Sequence, residues 1–522
     1  MERRHEVRPV GTRGSRVARA ARLLLVGALL AASALGGSAA AWAQEDGGGD
    51  LPADTGGDEV ITVMARNLYL GADVAIALEL LPDMPAAAQF MWEQVAATDF
   101  DRRVERLAAE VVREEPAVIG LQEATRWRCR GGDLGRLETV FDFTSGFLEA
   151  TRAAGVPYVI AAADGGRARQ EGYGIPALPL LSRVEDPTTF QPRFGTDTAT
   201  CGFDLADALL VREDLADRVV AAGGRAFGDR YSVVPTVLVI DRGYAFADLA
   251  FDGGTVRFVT THLESLWDPD EVPTGALQAR QLLADLAGTA TPLVVMGDLN
   301  ADPRDPRPAG TPNPALQPEE GATCPGQVQD PTVDTARAGC NAYWMLRQGG
   351  LEDAGPDPLD GANLTWGSSA ELAGPDPGRL DAALEMGNTS GFTDRLDYVL
   401  VRGGIEVVDA RVIGNAWPDG ADLWACEAPG QQATARAAAE RLVEAGVLAH
   451  VPEELDCLPT DHAGIVAELR LPATGLAASE PPPTVWRSPI GLWGVIGLLL
   501  LALVVWRVGR RLRRRAVAEH PR

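Results

Sequence analysis

Apolar residues along this chain fall into short runs of two kinds. Val60–Asn67 and residues 117–122 are almost continuously apolar, which predicts strands buried on both faces. Between them, residues 101–114 repeat apolar positions every three to four residues, which predicts an amphipathic helix. Strands and helices that alternate in this way indicate a domain of the α/β class.

The same two patterns continue through most of the chain. Further strands are predicted at residues 206–211, 236–240, 245–251, 256–261, 292–297, 396–401, 406–412 and 465–469, and further helices at residues 274–287, Ala342–Gln348 and 433–444. Residues 302–337, rich in Pro and Gly, and residues 414–458 interrupt the pattern and predict two insertions. Continuous and alternating strands with helices between them predict two sheets packed face to face and flanked by helices.

The N-terminal region predicts export. Residues 1–43 contain seven arginines between Arg3 and Arg22, then an apolar run and a small-residue cleavage pattern, which together predict a signal peptide. The Gly- and Asp-rich residues 44–58 predict a flexible leader. The folded domain is therefore expected over residues 59–471.

The C-terminal region predicts a membrane anchor. An unbroken run of 17 apolar residues, 490–506, precedes an Arg-rich end, so residues 489–507 predict a transmembrane helix. A buried core helix is the alternative at this length. The arginines place residues 508–522 in the cytoplasm by the positive-inside rule, with residues 472–488 as a linker. We expect a single-pass protein of the cell membrane with an extracellular domain, although residues 471–475 also match a cell-wall sorting signal.

Charge and cysteine content narrow the functional classes. The net charge is −26 although arginines concentrate at both ends, so the domain itself is strongly acidic and repels polyanions. The chain has no lysine, which excludes lysine-based chemistry. Six cysteines in the exported region predict three disulfides. Proximity along the chain favours Cys324–Cys340 and Cys426–Cys457, which leaves Cys129–Cys201, although other pairings stay open.

Polar residues end or follow several of the predicted strands. Each could be a turn former or helix cap on its own, but together they bring carboxylates, amides and two histidines to strand ends. These residues are Asn67, Glu123, His262, Asp298, Asn300, Asp397, Asp461 and His462.

These segments resemble the endonuclease/exonuclease/phosphatase (deoxyribonuclease-I-like) superfamily, and the resemblance runs from about Val60 to Leu471. Its most specific marks are Gly297-Asp298-Leu299-Asn300 and the terminal Asp461-His462. The resemblance implies a four-layer α/β/β/α sandwich of two packed mixed sheets. It also implies a hydrolase acting on phosphoric ester bonds through a divalent metal, Mg²⁺ or else Mn²⁺ or Ca²⁺.

The resemblance assigns a role to each strand-end residue. Glu123 resembles the main metal carboxylate, with Asn67 and Asp461 as neighbouring metal-side ligands or water holders. Asp298 would orient or deprotonate the attacking water, and Asn300 would donate to a phosphate oxygen. His462 resembles the histidine at the phosphate, with its ring held by Asp397. His262 would be a second donor to the developing charge.

The substrate class stays open at the level of sequence. A phosphodiester carried by a lipid, a small molecule or nucleic acid is expected, with an extracellular nuclease, a phosphomonoesterase and a catalytically silent surface-binding domain as alternatives. Specificity is expected in the segment 69–99 and in the two insertions. Arg126-Trp127-Arg128 predicts either a phosphate clamp with a stacking ring or a solvated turn with one buried Trp.

Overall fold

The computed structural model describes residues 59–132, 135–234, 238–266, 272–305 and 341–472. The predicted signal peptide, leader, transmembrane helix, cytoplasmic tail and Cys324–Cys340 disulfide lie outside these residues, as does the linker beyond Pro472. Within the described ranges, no helix is both long and apolar enough to cross a membrane.

The strands of the described residues form two large sheets and three two-stranded ribbons. In chain order the strands are β1 (Val60–Asn67), β2 (Val118–Gln122), β3 (Arg126–Gly131), β4 (Glu138–Asp142), β5 (Tyr158–Ile160), β6 (Ala162–Ala163), β7 (Gly166–Arg167), β8 (Arg169–Ile175), β9 (Arg183–Glu185), β10 (Thr198–Arg212), β11 (Val219–Ala226), β12 (Tyr231–Val234), β13 (Leu238–Ile240), β14 (Gly243–Phe251), β15 (Gly254–His262), β16 (Leu293–Asp298), β17 (Glu352–Asp353), β18 (Asp397–Arg402), β19 (Glu406–Ile413), β20 (Trp424–Ala425), β21 (Asp456–Cys457) and β22 (Gly464–Arg470).

Helices connect and cover these strands. In chain order they are α1 (Val74–Glu79), α2 (Met84–Ala97), α3 (Phe100–Glu114), α4 (Phe143–Ala153), α5 (Pro187–Phe194), α6 (Thr274–Leu286), α7 (Ala342–Gln348), α8 (Leu380–Glu385) and α9 (Pro429–Glu444), with single 3₁₀ turns at Glu213–Arg218 and Gly361–Asn363. The helices predicted within the described residues are all present. The last begins earlier than predicted, because Pro429 starts it and the Gln431 side chain accepts a hydrogen bond from the Ala428 N–H at 3.2 Å.

Both large sheets are mixed, as expected. In the first, the order is β19-β22-β1-β2-β10-β3-β4, with β5, β8 and β9 also paired to β10. In the second, the order is β11-β14-β15-β16-β18-β17. Each sheet has one parallel pair at its centre, β1 with β2 and β15 with β16, so that two strands in each sheet end at the same edge.

One apolar core lies between the two sheets. It combines first-sheet residues such as Val118 and Ile465 with second-sheet residues such as Phe258 and Met296, all of which are buried. Both faces of these central strands are covered, because helices α2–α4 pack on the outer face of the first sheet and α6 and α7 on that of the second. This explains why the central strands are continuously apolar.

Two regions differ from the sequence-based expectation. Residues 69–99, expected to be a loop segment, form α1 and α2, whose first turns are capped by Asp73 and Asp83. The strand predicted at 206–211 is only the end of β10, which extends back to Thr198. The first half of β10 contains Gly and Thr and does not show the pattern of a buried strand, but β3, β8 and β9 cover it.

Two of the three predicted disulfides lie in the described residues and are confirmed. Cys129–Cys201 joins the neighbouring strands β3 and β10. Cys426–Cys457 joins β20 and β21 and closes the second insertion, whose helix α9 packs in its own apolar cluster with Trp417 and Trp424. This insertion ends directly before Asp461 and His462, so its packing bears on the position of both.

Candidate active site

Three of the predicted residues lie in one row across the second sheet. The parallel register pairs His262 with Asp298, and the antiparallel register pairs Asp298 with Asp397. All three side chains are buried. Gly297 precedes Asp298 with φ of +151°, and a Cβ there would lie 2.0 Å from the Thr261 carbonyl oxygen. The close approach of β15 and β16 at this point therefore requires glycine.

Residues from the first sheet reach the same row. Asn67 ends β1, and its Nδ2 donates to Asp298 Oδ2 at 3.1 Å, while its Oδ1 accepts the Tyr69 N–H at 2.8 Å. Asn67 therefore bridges the two sheets and orients Asp298. A carbonyl oxygen has a second lone pair, so the predicted metal contact is compatible with this arrangement.

Asp298 receives donors from several directions. Its Oδ1 accepts the Asn300 N–H at 2.9 Å, and the Nε2 atoms of His262 and His462 lie 3.4 and 3.7 Å from its Oδ2. Burial raises the pKa of Asp298 to about 7, against the opposing charge of His462. A carboxylate that titrates near neutrality is suited to accept a proton from water.

His462 is a proton donor, in contrast to Asp298. Its Nδ1 lies 2.9 Å from Asp397 Oδ2, the contact that the resemblance implies. Burial alone would lower the pKa of His462, but three neighbouring carboxylates outweigh burial and raise the pKa to about 10. They are, in order of effect, Asp397, Asp461 and Asp298. The imidazole is therefore protonated at neutral pH and its Nε2–H is available to an anion.

Glu123 and Asp461 form a separate acidic pair. Glu123 follows β2 with φ of +53°, and its Oε2 accepts the Leu70 N–H at 2.5 Å. Burial raises the pKa of Asp461 to about 7, opposed by the charge of His462 and increased by the charge of Glu123. The Trp366 side chain hydrogen bonds to Asp461, whose Oδ1 is buried without a hydrogen-bond partner among the described residues.

The donor set suits a hard divalent cation at Glu123 and Asp461. Mg²⁺ and Ca²⁺ take carboxylate oxygens, and a buried carboxylate oxygen without a donor beside a second acid fits such an ion. A second group, Asp298, Asp397 and His462, also brings its potential ligand atoms within 4.8 Å of one another. However, a protonated His462 bound to Asp397 has no lone pair for a metal. Glu123 and Asp461 are therefore the better candidates to hold a cation among the described residues.

The amide of Asn300 and the ring of His262 are oriented by neighbours. Asn300 has φ of +46°, and its Nδ2 donates to the Leu263 carbonyl at 2.8 Å, which orients the amide. His262 Nδ1 lies 2.9 Å from Arg242 Nη1. Burial, together with the charges of Arg242 and His462, lowers the pKa of His262 well below its usual range. His262 is therefore neutral beside a charged His462.

Two buried arginines that the sequence did not single out hold the site backbone. Arg66 binds the Glu110 carboxylate at 2.8 and 2.9 Å and donates to the His462 carbonyl at 2.6 Å. Arg103 donates to the carbonyls of Tyr69 and Pro459, at 2.7 and 3.1 Å. Arg103 lies within the apolar face of α3. A charged residue on a buried face was the one feature of the sequence that could have indicated its role.

The Arg126-Trp127-Arg128 segment is neither a clamp with a stacking ring nor a solvated turn. It lies on β3, so alternate side chains face opposite sides, and Trp127 is buried with its Nε1–H donating to the Leu70 carbonyl at 3.1 Å. Both arginines pair with Asp204. The aromatic ring next to His462 is instead Trp366, with ring centroids 6.3 Å apart and the Arg379 guanidinium 4.0 Å above it.

Comparisons with known proteins identify the family of this chain. The model of the "Endonuclease/Exonuclease/phosphatase family" matches residues 91–462. No curated protein matches the chain. Among solved structures, an endonuclease/exonuclease/phosphatase from Beutenbergia cavernae is 17% identical with a TM-score of 0.38, over 79% of this chain and 72% of that chain.

Two further solved structures give similar values. A mannosyl-6-phosphatase from Bacteroides thetaiotaomicron is 13% identical with a TM-score of 0.36, over 78% of this chain and 99% of that chain. TDP2 from D. rerio, complexed with a single-strand DNA product, is 12% identical with a TM-score of 0.36, over 79% and 100%. The family match spans most of the chain and includes every predicted site residue except Asn67, which precedes it. This chain belongs to the endonuclease/exonuclease/phosphatase family of hydrolases that act on phosphoric esters.

Proposed function

We propose that this protein is an extracytoplasmic, membrane-tethered phosphodiesterase that depends on a divalent metal ion. The observation that supports this most directly is the pairing of Asp298, with a pKa of about 7, and His462, with a pKa of about 10, at one buried site. Diester hydrolysis needs a proton acceptor for water and a cation for the phosphoryl oxygens. These two side chains supply both, and their atoms lie 3.7 Å apart.

In this mechanism Asp298 accepts the proton of the attacking water, oriented by Asn67 and the Asn300 N–H. The Nε2–H of His462 donates to a phosphoryl oxygen, while Asp397 holds its ring and stabilises the imidazolium. The amide of Asn300 and the ring of His262 would donate to the remaining oxygens. Mg²⁺, or Mn²⁺ or Ca²⁺, held by Glu123 and Asp461 with Asn67 beside them, would neutralise phosphate charge.

The tether is proposed from the apolar run at residues 489–507. Strand β22 begins near His462 and ends at Arg470. The next residue, Leu471, donates its N–H to the Glu59 carbonyl beside the start of β1. The last described residues therefore lie at the ends of the strands that are opposite to the site. A membrane helix attached there leaves the site open to solvent. Cell-wall anchoring through residues 471–475 would have the same consequence.

Three alternatives are tested together with the main proposal. An extracellular nuclease has the same site, but the net charge of −26 repels a phosphate backbone. A phosphomonoesterase would release phosphate from a terminal ester. A catalytically silent surface-binding domain would show no turnover with any metal ion.

The experiment compares the oxidised full-length chain with Asp298→Ala and His462→Ala. Substrates are bis-p-nitrophenyl phosphate, p-nitrophenyl phosphate, sphingomyelin, plasmid DNA and RNA, each with Mg²⁺, Mn²⁺, Ca²⁺ or EDTA. We expect diester turnover that EDTA abolishes and that each substitution lowers by at least about 100-fold. The matched controls are Asp409→Ala and His450→Ala, both exposed and outside the site, which should retain activity.

Each contrary result has a distinct meaning. Turnover that is equal in EDTA would contradict the metal dependence. Full activity in both site variants would contradict the assignment of the site. Faster cleavage of the monoester would favour the phosphatase, and faster cleavage of DNA or RNA than of the small diester would favour the nuclease.

A further inference from the structure

Arg242 lies directly before β14, buried behind His262. Its Nε lies 3.4 Å from Glu264 Oε2, and its guanidinium lies 5.4 Å from the centre of the Tyr173 ring. The Glu264 carboxylate is itself held by the Leu266 N–H at 3.0 Å. Glu264 and Tyr173 therefore hold the guanidinium on the side away from His262, and Nη1 points at the imidazole of His262.

The chemistry of this contact determines where the ring proton lies. A guanidinium has only N–H donors, and it stays protonated inside proteins. With Arg242 Nη1 at 2.9 Å, Nδ1 of His262 must be the acceptor and carries no hydrogen. A neutral imidazole has one N–H, so the hydrogen is on Nε2, which faces Asp298 Oδ2 at 3.4 Å.

We propose that Arg242 is a positioning residue that holds His262 as the neutral Nε2–H tautomer, directed at Asp298 and at the phosphate site. The two site histidines then have opposite partners. His462 has a carboxylate at Nδ1, while His262 has a guanidinium at Nδ1 and is a neutral donor. The catalytic consequence rests on the proposed function, but the tautomer does not.

A purely structural role for Arg242 makes different predictions. If Arg242 served only to pair with Glu264, replacing Arg242 would lower the stability of the fold without changing which ring nitrogen of His262 is protonated. If Arg242 sets the tautomer, loss of the guanidinium frees Nδ1 to carry the proton. The ring would then populate the Nδ1–H form, whose unprotonated Nε2 faces the Asp298 carboxylate.

The first measurement is the ¹⁵N spectrum of the metal-free full-length wild-type chain, labelled at its five histidines. His262→Gln identifies the signals of His262. We expect an unprotonated-type shift at Nδ1 and an N–H-type shift at Nε2. A hydrogen at Nδ1, or at both nitrogens, in the wild type would overturn the proposal whether or not the Arg242 variants fold.

The second measurement follows Arg242→Gln and Arg242→Lys. We expect Arg242→Gln to mix the two tautomers and to lower kcat/KM for bis-p-nitrophenyl phosphate by about 10- to 100-fold, as for other partners that orient a site histidine. Arg242→Lys keeps a donor-only cation and should retain the tautomer and recover activity. An unchanged His262 spectrum and unchanged kcat/KM in Arg242→Gln would also overturn the proposal.

The matched control is Arg257→Gln. Arg257 also lies on the second sheet and pairs with an acid, Asp248, at 2.7 Å, but outside the site. It should leave both the spectrum and kcat/KM unchanged. If the wild-type chain has the expected tautomer but no turnover, the proposed function is contradicted and the tautomer proposal stands. If it turns over substrate with a hydrogen on Nδ1 of His262, the tautomer proposal is contradicted and the proposed function stands.

Discussion

At the scale of single residues, the partner of each buried charge decides its protonation. Asp298 and Asp397 face each other across β16 and β18, yet Asp397 is bound to an imidazolium and Asp298 to neutral amide donors. Burial disfavours the ionised form of Asp298 and raises its pKa to about 7. Two equivalent carboxylates in one sheet row thereby acquire different tasks.

Asp397→Asn tests this division. The amide keeps the size of the side chain but removes the charge that stabilises the imidazolium of His462. We expect kcat/KM for a diester to fall by about 100- to 10,000-fold, because the ring loses both its charge and its preferred orientation. Steady-state kinetics beside the exposed control Asp409→Asn measure the effect. Activity within a factor of about 3 of wild type, below the range for a catalytic partner, would contradict the role of Asp397.

The buried Arg66–Glu110 pair gives a prediction of stability. Both side chains are about 1% exposed, and Glu110→Gln would leave the Arg66 guanidinium without its counter-ion. We expect the free energy of unfolding to fall by about 3–5 kcal/mol. Urea denaturation measures this, with the exposed Glu444→Gln as a control that should not shift the midpoint.

A double variant decides whether that loss comes from the charge. Arg66→Met combined with Glu110→Leu removes both ions and leaves apolar groups in their place. We expect the double variant to recover much of the stability that Glu110→Gln loses, since well-packed apolar groups often replace a buried ion pair at little cost. A double variant less stable than the single one would show that the hydrogen bond from Arg66 to the His462 carbonyl matters more.

At the scale of elements, strand register places the site. The parallel pair β15–β16 sets His262 beside Asp298 only because their backbones approach closely at Gly297. A one-residue shift of register would turn Asp298 toward the opposite face of the sheet. The positions of the catalytic side chains therefore depend on a residue without a side chain.

Gly297→Ala tests the register argument. A Cβ would lie 2.0 Å from the Thr261 carbonyl oxygen, so one of the two strands must move. We expect a loss of stability well above the roughly 1–2 kcal/mol that positive φ alone costs a non-glycine residue. The control is Gly446→Ala, which also has positive φ but no atom within 4 Å of its Cβ. Equal losses in thermal denaturation would contradict the steric argument.

At the scale of the whole molecule, the two sheets bring the acidic pair and the charged histidine together. Glu123 comes from the first sheet, Asp298 from the second, and Asp461 from the segment that follows the second insertion. Like charges held this closely destabilise the fold unless a cation joins them. The proposed metal ion would therefore stabilise the folded chain as well as support catalysis.

Metal binding should be visible in the stability of the whole domain. An ion at about 100 times its Kd stabilises a folded protein by about 2.7 kcal/mol, if it does not bind the unfolded chain. We expect Mg²⁺ to raise the melting temperature of the wild type and to raise it much less in Glu123→Gln and Asp461→Asn. An equal increase in Asp461→Asn and in the exposed control Asp409→Asn would contradict the assignment of the ligands.

Much of the fold and the identities of the site residues could be predicted from the sequence. Continuous apolar runs predicted the central strands, because a strand that is covered on both faces is apolar at nearly every position. The segments 69–99 and 198–205 could not be predicted, because their buried residues, such as Trp92 and Phe203, pack against residues distant in the chain, such as Trp127. The pairing Cys129–Cys201 followed by elimination and lies between adjacent strands.

By itself, the sequence determined which chemical groups are available: two site histidines, four carboxylates and two amides at the ends of strands. Only the tertiary structure decided their states. Protonation depends on burial and on neighbours distant in the chain, such as Asp397 for His462 and Arg242 for His262. Such pairs follow no sequence periodicity, because strand order and register, rather than spacing along the chain, determine which side chains meet.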